Sequence, residues 1–471
     1  MLFPTPEYAA LFLLAFVAAW TSRSRPQLHK SLLLGLSWLF YAWAFPWHLP
    51  LLVGVSLWAT WVARRAHAAT EAKARRRWLV AGSVGALSVL IVFKYAGFLV
   101  SNFADLLHAA GWRGDLPIPD IVLPIGVSFF VFHAISLIGD AERGKLANGV
   151  SWLDGLLYVA FFPQQVAGPI VRAADFLPQL ANGPDAAQIE ASRGAALVLR
   201  GLFKKLVLAA HLGILVADPV FDAPESFGGP MVLLGILAYA GQIYCDFSGY
   251  TDMAIGSALL LGYRFPENFD APYRATSLQD FWRRWHMSLS TFLRDYLYVA
   301  LGGSRGGPWR TDRNLLLTML LGGLWHGASW TFVVWGGLHG AGLVVHRRFA
   351  ASPWMWVQHL RNSFAWQPVA AVLTFGTVCL GWVLFRSASL ADAGRVLGRL
   401  TYAGPLPPPS LVCLVAAGIC LQLLPTATWT QTVRWVARMP AALQGATAAT
   451  AAVTIQALGP IGVPPFIYFQ F

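Results

Sequence analysis

LLGGLWHGASW, Leu320 to Trp330, sets a histidine among tryptophans and glycines inside a long apolar stretch. FWRRWHMSLSTFLRDYLY, Phe281 to Tyr298, does the same about forty residues earlier. A histidine within a membrane span is costly unless it has a partner or a function. Neutral imidazole is also the side chain best suited to take a proton near physiological pH. His326 and His286 are therefore the first candidates for chemistry in this chain.

Outward from these motifs the chain remains apolar. Of its 471 residues 56% are hydrophobic and only 12% charged, where soluble domains carry roughly 25% charged residues. This balance predicts an all-α, polytopic membrane protein. The expected spans are residues 2–20, 31–63 (a hairpin broken near Pro46 and Pro50), 78–107, 119–138, 194–217, 230–262, 314–346, 367–386, 409–424 and 446–458. Leu2 to Trp20 follows no basic region and has no small-residue cleavage pattern, so it reads as a first span and not a cleaved signal. Segment 151–172 holds Pro163, Gly168 and Pro169 around Gln164 and Gln165, which predicts a broken or re-entrant helix.

The net charge of +12 does not point to nucleic acid, because the basic residues gather at expected span ends. These are Arg23, Arg25 and Lys30, the run from Arg64 to Arg77, Lys204 and Lys205, and Arg347 and Arg348. That is the footprint of the positive-inside rule and of anionic lipid headgroups, and it places Arg64 to Arg77 in the cytoplasm. Cys245, Cys379, Cys413 and Cys420 show no metal-ligand spacing, and no His/Cys/carboxylate cluster suggests a metal.

The region from Gln242 to Gly340 is the densest in polar residues set among aromatics. Ser277 to Asp280 has the form of a helix start. Trp282, Trp285, His286, Leu289 and Leu293 then recur at three- and four-residue steps and would share one helical face, with Ser290 one turn from His286. Asp246 and Asp252 either orient an imidazole or cap a broken helix. Arg283, Arg284, Lys204 and Lys205 could meet donor phosphates or lipid headgroups. GGSRGG (Gly302 to Gly307) lacks the ending of a phosphate loop and reads as a flexible connection. His133, His211 and His339 sit in apolar contexts that favour packing over chemistry.

DFSGYTDMAIG, NFDAPYRATSLQDFWRRWH, SLSTFLRDYLYVALGG and LLTMLLGGLWHGASWTFVVWGGLHG together resemble the membrane-bound O-acyltransferase family. They are most similar to its bacterial branch of alginate O-acetylation and teichoic acid D-alanine transfer. Upstream, LPIGVSFFVFHAISLIGD, FFPQQVAGPIVR and GLFKKLVLA extend the resemblance, which covers about residues 80–345 and the extreme C-terminus. It implies one integral-membrane domain over residues 1–471, with a ring of about eleven spanning helices and some short or re-entrant ones around a central tunnel. It implies that His326 is catalytic, as general base, and that His286 orients the donor or stabilises oxyanion charge.

The activity implied is transfer of an acetyl group from cytoplasmic acetyl-CoA across a bacterial inner membrane, with no bound cofactor. The final acceptor would be an exported polysaccharide of alginate, cellulose or peptidoglycan type, reached through a periplasmic SGNH-type partner. A carrier-protein thioester as donor, or a protein or lipid acceptor, is the alternative chemistry. A transporter or scaffold without catalysis would leave both histidine motifs unexplained. The tail PPFIYFQF (Pro464 to Phe471) resembles the aromatic terminal motif of the branch, which makes Tyr468 either a transient acyl carrier or an interfacial anchor. The sequence departs from the family pattern at His133, Glu142 and Gln165, where glutamine, tyrosine and an apolar residue are more usual.

Overall fold

Proline and hydroxyl caps punctuate the chain into helices, and a computed structural model describes residues 3–186, 189–460, 462 and 467. The regular elements among the described residues are all helices, with a single isolated β-bridge between Phe269 and Trp285. Among the described residues, three helices are long and apolar enough to cross a membrane by length and composition: Ala72–Ala109, Gly229–Leu260 and Trp366–Arg386. Two compact units divide the chain, one of Met1–Val198 with Met253–Pro266, the other of Leu199–Asp252 with Glu267–Phe471.

In the first unit Pro6 and Pro26 each open a helix, Pro6–Ser22 and Pro26–Ala44. Both occupy the first helical turn, where a missing N–H costs nothing. The expected hairpin break falls at Pro46–His48, before the helix Leu49–Ala68. Ala72–Ala109 contains a π-helical turn at Ile91–Tyr95 and exposes Val80, Val84, Leu99 and Leu106, an apolar surface suited to lipid. The expected span 119–138 begins later, at Val127.

The broken segment behaves as its prolines and glycines predict. The helix Trp152–Ala160 stops, and regular structure resumes at Ala173–Asn182. Backbone groups freed by the break must find other partners. Gln164 and Gln165 donate their side-chain amides to the carbonyls of Tyr158 and Ala160, both at 2.5 Å. Ser37 accepts from the Phe162 N–H at 3.1 Å, and Tyr158 donates to the Val171 carbonyl at 2.8 Å. Gln165 thus has a local role in satisfying the break. Phe161, Phe176 and Tyr263 close the core around it, with ring centroids 5.1 to 5.4 Å apart.

In the second unit the expected span 314–346 is two helices, Pro308–His326 and Trp330–Ala350. The turn comes at Gly327, after which Ser329 caps the second helix by accepting from the Thr331 N–H at 3.1 Å. Small residues let the two helices approach closely. A Cβ on Gly336 would lie 2.4 Å from the Met319 carbonyl oxygen, and one on Gly323 would lie 2.3 Å from that of Phe332. His326 is therefore the last residue of its helix, at the bend of a tightly packed hairpin.

Several basic residues read as lipid-facing are ion-paired with carboxylates within the protein. Lys30 is buried and pairs with Asp154 at 2.6 Å. Arg347 and Arg348 both reach Asp312, at 2.5 Å. The run from Arg64 to Arg77 is largely exposed.

Candidate active site

The helix expected from Ser277 does begin there, with the Ser277 hydroxyl accepting from the Asp280 N–H at 3.1 Å. It ends at Arg284, and a new helix runs from Met287 to Phe292. The face expected to carry Trp282, Trp285, His286, Leu289 and Leu293 is thus interrupted at the histidine. His286 has φ +44, one of two non-glycine residues with positive φ among the described residues. Such a conformation is uncommon for a residue with a side chain and collects at functional sites. Ser290 stays one turn on, its N–H donating to the His286 carbonyl at 2.9 Å and its hydroxyl to that of Trp285 at 3.2 Å.

Asn268 imposes the break. Its backbone carbonyl accepts from the Met287 N–H at 3.0 Å, and Asp270 N–H donates to the Arg284 carbonyl at 2.9 Å. These bonds replace the helical ones. The Asn268 Oδ1 accepts from the Ser288 N–H at 3.0 Å and the Ser288 hydroxyl at 2.9 Å. A backbone N–H can only donate, so the atom facing it is the amide oxygen. The same oxygen lies 3.2 Å from Nδ1 of His286. Nδ1 must then carry a proton, which leaves Nε2 of neutral His286 with its lone pair. Nε2 is buried and has no hydrogen-bond partner among the described residues. Asn268 escaped the sequence reading because nothing in NFDAPYR announces a contact eighteen residues ahead.

An aromatic box joins the histidines. The His286 ring meets Phe247 edge-on at 4.7 Å and Trp325 at 6.3 Å. Trp325 lies 4.9 Å from His326, which also meets Trp335 at 5.0 Å and Phe385 at 5.3 Å. Trp335 in turn contacts His339 at 4.7 Å. His286, His326 and His339 are all buried, so a residue assigned to packing stands beside the proposed base.

Asp246 and Asp252 hold cations and not imidazoles. Asp252 accepts from Arg200 through both oxygens, at 2.8 and 2.6 Å, and from Lys204 at 2.9 Å. Asp246 is ion-paired with Lys205, and its other oxygen accepts from the Ile467 N–H at 2.9 Å. The five charges belong to two neighbouring stretches of chain that Gly249 lets approach, since a Cβ there would lie 2.8 Å from the Gly201 carbonyl. Lys204 and Lys205 are buried, Lys204 ion-paired with Asp252 and Lys205 with Asp246. Arg284 bonds Asp280 at 3.0 Å and Asp270 at 3.3 Å, while Arg283 is exposed. Tyr468 lies outside the described residues. Its neighbour Ile467 is buried, anchored by its backbone to Asp246.

Two buried imidazoles in an apolar aromatic box, one with a fixed tautomer, form a site suited to proton transfer away from water. Residues 140–391 match the model of MBOAT, the membrane-bound O-acyltransferase family. A probable alginate O-acetylase AlgI of Pseudomonas aeruginosa is 40% identical over 397 residues, 84% of this chain and 74% of that protein. A peptidoglycan O-acetyltransferase of Helicobacter pylori is 36% identical over 432 residues, 84% of this chain and 79% of that protein. A teichoic acid D-alanyltransferase of Bacillus subtilis is 26% identical over 322 residues, 62% of this chain and 78% of that protein. The chain belongs to the membrane-bound O-acyltransferase family and is a multi-pass membrane protein. It is an O-acyltransferase of the type shared by the alginate and peptidoglycan O-acetylating enzymes.

Proposed function

We propose that the chain moves an acetyl group from cytoplasmic acetyl-CoA across the bacterial inner membrane towards an exported polysaccharide, with a periplasmic SGNH-type protein completing the transfer. The observation that carries this reading is the buried pair of imidazoles, His286 and His326, joined through Trp325. The names of the alginate and peptidoglycan relatives support acetyl as the group and polysaccharide as the acceptor class.

His326 serves as the general base. It takes the proton of a hydroxyl whose oxygen attacks the thioester carbon, while the carbonyl electron pair moves onto oxygen. Collapse of this tetrahedral adduct restores the carbonyl and breaks the carbon–sulfur bond. The departing thiolate then takes the proton from the imidazolium. His286, with Nε2 a lone-pair acceptor, suits holding the incoming hydroxyl better than stabilising an oxyanion. Arg283, exposed beside this block, is the residue left for contact with donor phosphates, as Arg284 is engaged by Asp270 and Asp280.

Tyr468 is the proposed transient acyl carrier, a role supported by the anchoring of Ile467 at Asp246. Its phenol would be acylated in the first transfer and deacylated in the second. Tyr468→Phe is expected to abolish transfer at unchanged abundance, and normal activity would remove the carrier role.

The reading as a whole is tested by NMR of O-acetyl esters in envelope and secreted polymers. Cells carrying the wild-type chain are compared with cells carrying His326→Ala at matched abundance. Ester lost from one polymer names the acceptor. Unchanged esters in every polymer would overturn the polysaccharide reading.

A further inference from the structure

Beside His326 the box contains ring nitrogens that nothing among the described residues satisfies. Nε1 of Trp282, Nε1 of Trp335 and both nitrogens of His339 are buried without a hydrogen-bond partner among the described residues. The three rings touch one another: Trp335 and His339 at 4.7 Å, Trp282 and His339 at 5.4 Å, Trp282 and Trp335 at 5.8 Å. Trp335 and His339 are both 1% exposed or less. Buried polar groups are normally paired, and each exception calls for an explanation. The neighbouring Trp382 follows the rule, its indole donating to the Tyr273 hydroxyl at 3.2 Å.

The chemistry of the orphans restricts what can fill the site. An indole N–H donates and cannot accept, so the occupant must bring an acceptor, which excludes a cation. Gly381 packs closely against two of the nitrogens. A Cβ at that position would lie 2.9 Å from Nε2 of His339 and 3.3 Å from Nε1 of Trp335. The cluster also adjoins the proposed base, since Trp335 meets the His326 ring at 5.0 Å. His286 cannot supply the missing donation, because its N–H is directed to Asn268.

We infer that Trp282, Trp335 and His339 form the donor site for the carbonyl oxygen of the acyl thioester and for the oxyanion that develops on it. This rests on the acyl-transfer reading above and adds the groups that stabilise charge on oxygen. Attack of the acceptor hydroxyl turns the C=O bond into a C–O⁻ bond within this site. Expulsion of thiolate restores the C=O bond. Fixed donors in a water-excluded site favour the charged species over the ground-state carbonyl.

The test uses full-length protein in lipid nanodiscs and a ketone analogue of acetyl-CoA, with CH2 in place of sulfur and a ¹³C-labelled carbonyl. Difference infrared spectra of the bound analogue are expected to show the C=O stretch lowered by hydrogen bonding. Trp335→Phe and Trp282→Phe, which remove an N–H but keep a ring, should each move it to higher frequency. Turnover, read as thiol release from acetyl-CoA with the polymer that carries the ester in cells, should fall about 10²-fold in kcat with little change in KM. Gly381→Ala retains every donor and crowds the site, so it should move the stretch in the same direction even where a tryptophan variant fails to fold. A wild type that binds the analogue with a stretch unaffected by all three changes would overturn the donor site alone. That result would assign the nitrogens to ordered water or to packing. A wild type that neither binds the analogue nor releases thiol would overturn the acetyl-CoA reading and this inference with it.

Discussion

Asn268→Ala is the sharpest probe of how this site is held. It removes one oxygen on which three groups converge: the Ser288 N–H at 3.0 Å, the Ser288 hydroxyl at 2.9 Å and His286 Nδ1 at 3.2 Å. Asn268, Ser288 and His286 are all buried, so water does not simply replace the lost acceptor. The serine hydroxyl can rotate towards another partner. The Ser288 N–H and the imidazole N–H cannot. An orphaned buried donor costs about 1–3 kcal/mol, so two of them cost about 2–6 kcal/mol. The left-handed turn at His286, itself unfavourable for a side-chain-bearing residue, also loses a support.

The chemical consequence is separate from the stability loss. Without its acceptor, Nδ1 no longer holds the proton preferentially, and the other tautomer turns Nε2 from an acceptor into a donor. A hydroxyl presented to Nε2 would then meet an N–H. Ester formation is expected to fall about 10²-fold, the lower end of what a positioned acid–base group contributes. Two measurements check this: the thermal midpoint of the detergent-solubilised protein, and ester content at matched abundance. A cycle with His286→Phe separates the two effects, with a coupling of about 1–2 kcal/mol expected for residues in direct contact. Wild-type ester content and midpoint in Asn268→Ala, or strict additivity with His286→Phe, would refute this account of the site.

Gly327→Ala places a methyl group 2.1 Å from the Phe332 ring at the bend that carries His326. Abundance and activity should fall together, and Phe332→Ala in the same chain should restore part of the abundance, as read by fluorescence-detected size exclusion. Asp252→Asn leaves Arg200 and Lys204 sharing a site without a carboxylate. Breaking a buried ion cluster on one side costs about 3–5 kcal/mol, visible as a lowered thermal midpoint, while Lys204→Met with Asp252→Asn should recover part of it. Asp246→Ala removes the acceptor of the Ile467 N–H and the counter-charge of Lys205. Carboxypeptidase digestion should then proceed faster than in wild type, and an unchanged digestion rate would separate the tail from Asp246.

The parts of the fold legible in sequence are those that local residues decide. Pro46 ends one arm of a hairpin because its ring cannot continue a helix, and the Ser277 cap declares itself by a hydroxyl three residues before Asp280. The unwinding after Ala160 follows from Pro163, Gly168 and Pro169 in a short segment. The break at Gly327 was available to the same reasoning. Hydropathy alone runs straight through it, because the flanking residues are apolar on both sides.

What the sequence conceals is decided by partners distant along the chain. The 3.6-residue period predicts a continuous helix through His286, and that prediction fails because Asn268 supplies competing hydrogen bonds from outside the helix. Lys204 and Lys205 show no partner in their own stretch of sequence, and Asp252 and Asp246, which pair with them, lie more than forty residues further on. His339 has the apolar neighbours of a packing residue, and composition cannot distinguish it from one. Only the meeting of three rings shows that its nitrogens, with those of Trp282 and Trp335, are left without partners among the described residues in one place. The two histidine motifs therefore mark the candidate site, but the roles proposed within it depend on the proton each ring can give or take. For His286 that is settled by the single backbone N–H of Ser288, which identifies the oxygen of Asn268 and through it the tautomer of the ring.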